Sequence, residues 1–382
     1  MKFTCETKAL TEAMAIAGRV IPQKSPWPIL INIKMVTNDD RVTMIGSDGD
    51  TTFEVDVPAS VEIEGAACLA FATFDKFVKA AKATQVSVEM DAEKALVKSG
   101  RGRITLMSGS VDDYPIYKPT EGEMVTVDAP SFAHSLRFCA AAASTNEARY
   151  HLCGVNFDES QGHVIAWGTN GKVAHKASLS SLATVGGGGT IPSVAAQTIL
   201  ALVEKSDTAK VLITDRGWGV ESAPVRIWGK VIDGKFPNMA QMMDQFKGWD
   251  DLASVEHSDM TDGLSVASCG ADTDSDKSKS MILNFKAGDG IVLRGGRPLG
   301  GVVYAGRSEV TAEVTHDWAG GFNSKYITNA MSGLKVDRVA IKRDVKGENP
   351  VISICPAQAD SEVEMMSVIH GMRMSEAELA DV

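Results

Sequence analysis

The sequence predicts an α+β protein in which one mixed unit of helices and strands occurs three times. The chain has 382 residues, more than the roughly 100 to 200 of an ordinary domain, so two or three domains are expected. Helical and alternating patterns follow one another in the same order in each third of the chain. Turn-forming and charged residues collect at two breaks. Three domains of roughly 125 residues fit this length.

The first segment shows the order most clearly. A helical pattern at 8–20 precedes alternating strands between 29 and 57. A second helical pattern at 73–83 precedes strands that continue to Tyr117. The alternation of apolar and polar residues is plain at 53–57, which is typical of a half-buried strand.

The second segment repeats this order. A helix is predicted at 131–143, strands within 154–167, and a second helix at 193–204. Both segments end on an aromatic residue followed by proline, at Tyr114–Pro115 and at Phe236–Pro237. The shared ending supports a true internal repeat.

The third segment keeps the order with weaker patterns. Its predicted elements are a helix at 259–268, strands at 281–285 and 290–294, a helix at 324–334, and strands at 338–342 and 350–354.

Two stretches rich in turn formers and charges, at 119–128 and 247–254, are the predicted linkers. They divide the chain into domains at 1–122, 126–248 and 252–382. The last domain ends in an acidic tail at 375–382.

Composition narrows the class of protein. The net charge of −11 argues against tight electrostatic binding of nucleic acid, because that binding depends on Lys and Arg displacing counterions from phosphates. No window reaches the ~18 apolar residues of a membrane span, and the first residues do not form a signal peptide. The six cysteines are widely spaced, without a metal-binding pair. We expect a cytoplasmic protein that contacts no membrane and has no cofactor.

One helix has a cationic side. Lys76 and Lys79 share one side of the predicted second helix, and Phe74, Phe77 and Val78 lie on the other. A solvated surface is the alternative interpretation of these lysines. The threefold repeat favours a surface that faces a common anionic ligand.

Several local patterns suggest chemistry but lack its key residues. The glycine-rich stretches 186–189 and 295–301 are not followed by the Lys-Ser/Thr pair of a phosphate loop. Residues 272–276 have the spacing that opens a calcium loop, but Lys277 and Leu283 replace its glycine and its closing glutamate. The seven histidines form no local triad or metal cage. We therefore expect no enzymatic activity, although a hydrolase with dispersed carboxylates stays a third alternative.

The chain resembles the bacterial beta sliding clamp family, the beta subunits of DNA polymerase III, over almost its full length. The order and spacing of the matching stretches are more specific than any one of them. These stretches are MKFT (1–4), PILINI (28–33), IGSD (45–48), DYP (113–115), RYHLCG (149–154), TNG (169–171), DGKFP (233–237) and MRM (372–374).

The resemblance implies a homodimeric ring of two chains joined head to tail. Six similar clamp domains would place helices on the inside of the ring and antiparallel sheets on the outside. Such a ring encircles duplex DNA without sequence preference and acts as a processivity factor in DNA replication. It tethers the replicative DNA polymerase, and it binds the clamp loader and repair proteins, through short peptide motifs.

The resemblance also implies three sets of site residues. For DNA binding it implies Lys24, Asn146, Arg149, Tyr150 and His151, and Lys76 and Lys79 of the cationic helix complete this DNA-binding set. The partner-peptide set comprises Leu152, Thr169, Gly171, Ala174, Pro237, Met242, Val368, His370 and Met372. The dimer-interface set comprises Ile104, Leu106, Asp272 and Thr273. A packing role is the alternative for Arg149 and Tyr150.

This chain departs from the family pattern mainly in the peptide set. TNGKVA at 169–174 replaces the usual TDGHRL, and HGMRM at 370–374 replaces MPMRL. We expect a pocket of altered shape and peptide preference, with Met242 on its floor. Asp272 and Thr273 replace an apolar pair, so the joint between the two chains of the ring is expected to be more polar.

A scaffold protein that binds peptide motifs without encircling DNA is the alternative function.

Overall fold

The computed structural model describes residues 1–118, 122–159, 161–246, 248–269, 280–296, 306–344, 349–358 and 363–372. The chain divides into two compact units. Unit 1 comprises Met1–Pro130, Val185–Gly189 and Gln197–Val231, and unit 2 comprises Ser131–Thr184, Thr190–Ala196 and Ile232–Val382.

Helices and strands alternate along the whole described chain. Residues 1–128 contain β1 (Lys2–Glu6), α1 (Thr7–Val20), a 3₁₀ helix (Pro28–Ile31), β2 (Asn32–Asn38), β3 (Arg41–Ser47), β4 (Thr51–Ile63), β5 (Gly65–Ala70), α2 (Phe71–Ala80), β6 (Gln85–Asp91), β7 (Lys94–Ser99), β8 (Gly102–Met107) and β9 (Val125–Asp128). Residues 129–244 contain α3 (Ala129–Ala140), a 3₁₀ helix (Glu147–Leu152), β10 (Gly154–Asp158), β11 (Val164–Thr169), β12 (Val173–Leu179), β13 (Gly189–Pro192), α4 (Ser193–Val203), β14 (Thr208–Ile213), β15 (Trp218–Ser222), β16 (Val225–Gly229) and α5 (Met239–Asp244). Residues 250–370 contain β17 (Asp250–Glu256), α6 (His257–Ser268), β18 (Ser280–Lys286), β19 (Gly290–Gly295), β20 (Gly306–Val310), β21 (Ala312–Val314), β22 (Trp318–Asn323), α7 (Ser324–Gly333), β23 (Arg338–Arg343), β24 (Val351–Pro356) and β25 (Val363–His370).

Six of the seven described α-helices match helices predicted from periodicity, and α5 was not predicted. Helix α1 shows why the prediction works. Leu10, Met14 and Ala17 recur at helical spacing and are buried. The helix ends before Pro22, because a residue that precedes proline disfavours the helical conformation, and Ile21 is accordingly extended.

Unit 1 is built on antiparallel strands. Its described strands pair in the order β8-β7-β6-β1-β4-β16-β15-β14-β9, with β3, β2 and β5 continuing from β4. Helices α1 and α2 pack against each other, and Phe74 and Val78 of α2 are buried. The pairing of β16 with β4 places Val225 opposite Val55. This pairing explains why unit 1 includes residues from the predicted second domain, so the threefold division stays a prediction.

Unit 2 contains two further antiparallel sheets. One has the order β13-β10-β11-β12-β25-β24-β23-β17-β21, and the other has the order β20-β19-β18-β22. Strand β25 lies between β12 and β24, so residues near the C-terminus pair with residues near position 175. Periodicity could not predict this pairing, because it says nothing about which strands are neighbours.

Helix α3 lies very close to β11 and β12. A Cβ at Gly168 would lie 1.8 Å from the carbonyl oxygen of Cys139, so only glycine fits there. His175 is fully buried on the same face of the sheet, and its ring stacks on Phe138 with centroids 4.2 Å apart. Its Nδ1 donates to the Phe138 carbonyl over 2.7 Å, and its Nε2 has no partner among the described residues. Burial lowers the pKa of His175 to about 4.

The buried histidine predicts a pH-dependent stability. Below pH 6.5 the unfolded chain binds a proton at His175 that the native protein does not bind, so stability falls as the pH drops from 6.5 towards about 4. We expect the free energy of unfolding to fall by about 2 kcal/mol between pH 7 and pH 5 from this residue.

Denaturant unfolding of wild type and His175→Gln at both pH values measures this contribution. The variant should lose less stability than wild type between pH 7 and pH 5. His151→Gln, at a half-buried position, is the matched control and should retain the wild-type dependence. Identical pH dependence in wild type and His175→Gln would show that His175 is not the responsible group.

Candidate functional site

Helix α2 has the predicted cationic side. Lys76 and Lys79 are exposed, whereas Phe74 and Val78 are buried. The Lys79 ammonium lies 2.7 Å from the Asp75 carboxylate, one helical turn earlier. Because the Lys79 side of this pair is exposed to solvent, the pair stabilises the helix only modestly, and it reduces the positive charge that Lys79 offers to an anion. Lys24 is also exposed, in the loop that follows α1.

The second part of the predicted DNA-binding set forms one short segment of unit 2. Asn146 caps the 3₁₀ helix by accepting a hydrogen bond from the Ala148 N–H over 3.0 Å. The Arg149 guanidinium donates to the Asn170 carbonyl over 3.3 Å, which supports the packing role predicted as its alternative. Tyr150 is 55% exposed, and its ring meets the His151 ring edge-on. Tyr150 is therefore available to a ligand, while Arg149 supports the adjacent turn.

Five members of the predicted peptide set come together where the neighbouring strands β11, β12 and β25 meet the turn between β11 and β12. Thr169 pairs with Ala174 across β11 and β12, and Ala174 pairs with Val368 across β12 and β25. Directly paired residues point to the same face of a sheet, so these three side chains are neighbours. Gly171 lies in the connecting turn with φ +85°, and its N–H donates to the Thr169 hydroxyl over 3.1 Å. The N–H of His370 donates to the Lys172 carbonyl over 2.9 Å, which holds the end of β25 against this turn.

The segment that contains α5 covers this face of the sheet. Asn238 caps α5 by accepting from the Gln241 N–H over 3.0 Å. Met239 and Met243 lie one turn apart on the buried side of α5, where they pack with Ile165, Trp167 and Val368. We call these five residues the α5 cluster. Ala174, Phe236 and Phe246 are among the half-buried residues that pack against it.

The position of Met242 corrects one expectation. Met242 was expected on the floor of the groove, but it is 42% exposed. The buried methionines are Met239 and Met243, because their spacing of four residues directs both to the sheet. Met242 therefore belongs to the rim, on the exposed side of α5, which begins two residues after Pro237.

The remaining members of the peptide set are fixed elsewhere in unit 2. Leu152 is buried at the end of its 3₁₀ helix, and its carbonyl accepts from the Ser144 N–H over 2.9 Å. The N–H of Met372 donates to the Gly321 carbonyl over 2.8 Å. Met372 therefore follows β25 to the edge of the neighbouring sheet.

A cavity of about 370 Å³ adjoins the α5 cluster. Aromatic and thioether groups of Trp167, Met243, Phe246, Trp249 and Met366 line it. Its volume is near the lower limit of about 300 Å³ for ligand pockets. The sequence pattern does not predict this cavity, because residues 247–254 have the turn formers and charges of a linker. The aromatic residues at 246 and 249 are the signal that could have indicated it, since linkers seldom contain them.

Strand β8 contains the described part of the predicted dimer interface. It is paired along one side with β7, at the end of the main strand order of unit 1. Leu106 is only 8% exposed, Ile104 is half-exposed, and Met107 is 58% exposed. Most of the Leu106 side chain is thus covered within its own unit, and Ile104 is the better probe of an interface. Asp272 and Thr273 lie outside the described residues.

No group of three or more His, Cys, Asp or Glu residues that could hold a metal ion occurs in the part of the chain that the structure describes. Among the described helices, none is long and apolar enough to cross a membrane.

Comparison with known proteins identifies the family. Residues 1–118 match the N-terminal domain model of the DNA polymerase III beta subunit, and residues 126–238 match its central domain model. A beta sliding clamp of Pseudomonas putida is 21% identical over 376 residues, which cover 89% of this chain and 92% of that protein. A beta sliding clamp of Micrococcus luteus is 29% identical over 158 residues, which cover 41% of this chain and 51% of that protein.

The fold agrees with this assignment. The crystal structure of the DNA polymerase III subunit beta from Pseudomonas aeruginosa matches 98% of this chain and 100% of that chain with a TM-score of 0.87, at 17% identity. The arrangement of helices and antiparallel sheets is thus the sliding-clamp fold. The chain belongs to the DNA polymerase III beta subunit family, the bacterial beta sliding clamps.

Proposed function

We propose that two copies of this chain form a head-to-tail ring around duplex DNA and tether the replicative polymerase. The observation that carries this proposal is the segregation of charge in unit 1. Residues 7–24 and 71–82 contain six basic and two acidic residues, a surplus of four positive charges, in a chain of net charge −11. The basic side chains at 8, 19, 24, 76, 79 and 82 are all exposed.

This charge distribution suits encirclement better than tight binding. Repulsion between an acidic protein and phosphates opposes a high-affinity complex, whereas a local basic surface attracts DNA weakly. A closed ring needs only weak contacts, because it leaves DNA only by opening or by sliding off an end. Contacts with phosphates carry no sequence information, so the ring can slide.

The proposed ring joint uses strand β8. An edge strand presents unpaired N–H and C=O groups that a second chain can pair with. The exposed part of Ile104 and the exposed Met107 would supply apolar contacts beside these groups. Asp272 and Thr273 of the second chain are the proposed facing residues.

The proposed partner site is the surface beside the α5 cluster that includes Ala174, Met242 and His370, which we call the groove. Ala174 and the rim residue Met242 offer apolar surface to a ligand, and the exposed His370 lies at the same edge. An apolar surface bordered by a few polar groups is typical of peptide recognition. We propose that polymerase, clamp loader and repair proteins bind there through short motifs.

The proposed clamp function requires no catalysis, and we propose that the protein acts in the cytoplasm. The family assignment does not favour a scaffold that leaves DNA unencircled.

Encirclement predicts that retention depends on DNA ends. Protein loaded on nicked circular duplex should stay bound after gel filtration at moderate salt, and it should be lost after one restriction cut. Ile104→Asp should weaken the joint, so sedimentation should show more monomer and retention on circles should fall. Val194→Ala, at a 76% exposed position in unit 2, is the control and should behave like wild type. Equal retention on circular and linear DNA would contradict the proposal.

We predict that Met242, at the rim of the groove, contributes to the free energy of peptide binding. Burying its side chain against a peptide contributes roughly 1.5 to 3 kcal/mol. Met242→Ala should therefore weaken binding of a polymerase-derived peptide about tenfold or more in calorimetry. Because Met242 is exposed, the melting temperature should not change. Ala174→Asp should abolish binding by placing a charge in the groove. Unchanged affinity in both variants would exclude the groove as the partner site.

A further inference from the structure

The loop after α1 presents a tryptophan to solvent. Trp27 is 63% exposed and lies between the exposed Pro26 and Pro28. Large aromatic side chains usually bury most of their surface, so a solvent-exposed indole between two prolines is a costly arrangement. Tryptophan is enriched at binding interfaces, because its ring offers a large apolar area and a polar N–H, so this exposed indole is a candidate contact for a ligand.

The backbone of Trp27 is fixed on both sides. Its N–H donates to the Ser25 hydroxyl over 3.1 Å, and its carbonyl accepts from the Leu30 N–H over 3.0 Å. The two flanking prolines have fixed φ angles, and Pro28 begins the 3₁₀ helix. The loop is thus ordered before any ligand binds, so binding at the indole requires little loss of backbone entropy.

The indole lies beside the turn between β3 and β4. A Cβ at Gly49 would lie 3.9 Å from an edge carbon of the Trp27 ring. The two acidic residues of this turn are already engaged. The Asp48 carboxylate accepts from the N–H groups of Asp50 and Thr51, and the Asp50 carboxylate lies 2.9 Å from the Lys230 ammonium. Their charges therefore repel an anionic ligand less than two unpaired carboxylates would.

The neighbouring charge indicates the class of ligand. Lys24 is exposed in the same loop, three residues before Trp27. An exposed aromatic ring in the same loop as an exposed cation suits a nucleotide with an unpaired base, since the base can stack on the ring while the phosphate pairs with the lysine. In intact duplex the base faces are covered by their own neighbours, so the indole has no base to stack on.

We propose that Trp27 is a base-stacking residue that makes this protein prefer DNA with unpaired bases, such as a primer–template junction, over intact duplex. The inference rests on the proposed function only in taking DNA as the ligand of unit 1. Sliding alone does not distinguish one DNA structure from another, whereas stacking on Trp27 would let the protein distinguish unpaired bases from intact duplex. A clamp with this property would dwell at a junction, where a polymerase needs it.

The test uses short, open oligonucleotides, which need no closed ring to bind. Fluorescence anisotropy at low ionic strength compares a thymidine-rich single strand, a primed junction and a blunt duplex. Trp27→Ala should weaken binding of the first two by about 5- to 100-fold and should change duplex binding less than twofold. Trp27→Phe should recover most of the affinity. Lys24→Ala is the matched control and should weaken all three DNAs similarly, because it removes only a phosphate contact.

A second measurement reports the contact itself. A single strand with 5-iododeoxyuridine should crosslink to Trp27 under ultraviolet light, and peptide mass spectrometry should locate the adduct in the wild-type protein. Equal effects of Trp27→Ala on all three DNAs, or no effect on any, would overturn the inference, as would adducts confined to other residues. The two proposals fail separately. Equal retention on circular and linear DNA would contradict encirclement even if the preference for unpaired bases held.

Discussion

The pairing of β12 with β25 is the interaction on which the candidate peptide site depends. It joins residues 173–179 to residues 363–369, which are almost two hundred positions apart in the sequence. Ala174 meets Val368 only through this register, and a shift of β25 by one residue would direct the Val368 side chain to the face occupied by α3. The hydrogen bond from the His370 N–H to the Lys172 carbonyl fixes the end of the pair. The α5 cluster then packs on the surface that this register creates.

Buried methionines and aromatic residues determine the shape and the adaptability of this site. Met239 and Met243 fill the space between α5 and the sheet, and thioether side chains adapt their shape to different neighbours. Ala174 leaves more room than a larger aliphatic residue would, and the adjoining cavity is lined by Trp167 and Phe246. If the proposed peptide site lies here, it should accept bulky anchors better than small ones. The same features would let that proposed site bind several partners.

Sequence patterns predicted the helices well but not the geometry of the site. Periodicity located α1 and α2 and directed Lys76 and Lys79 to solvent, because the spacing of Phe74 and Val78 determines the buried side. Periodicity missed α5, which is too short for a clear period, and the family resemblance assigned Met242 to a floor that Met239 and Met243 occupy. Ile104 and Leu106 occupy equivalent positions in the alternating pattern of one strand, yet only Leu106 is buried. Burial depends on which other parts of the chain cover each side chain, and the pattern does not give this. The exposure of Trp27 likewise depends on the fold of its loop.

Charge and topology together explain how an acidic protein could stay on DNA. Electrostatic affinity decreases steeply with salt, by a power that reflects the number of phosphates contacted. A topological link does not depend on that affinity. The most direct test is therefore the lifetime of the loaded protein on closed circular duplex as salt increases, measured beside the equilibrium affinity for a short open duplex. Encirclement predicts that the affinity falls steeply while the lifetime on circles changes little until the joint opens. A lifetime that falls with the same slope as the affinity would contradict encirclement.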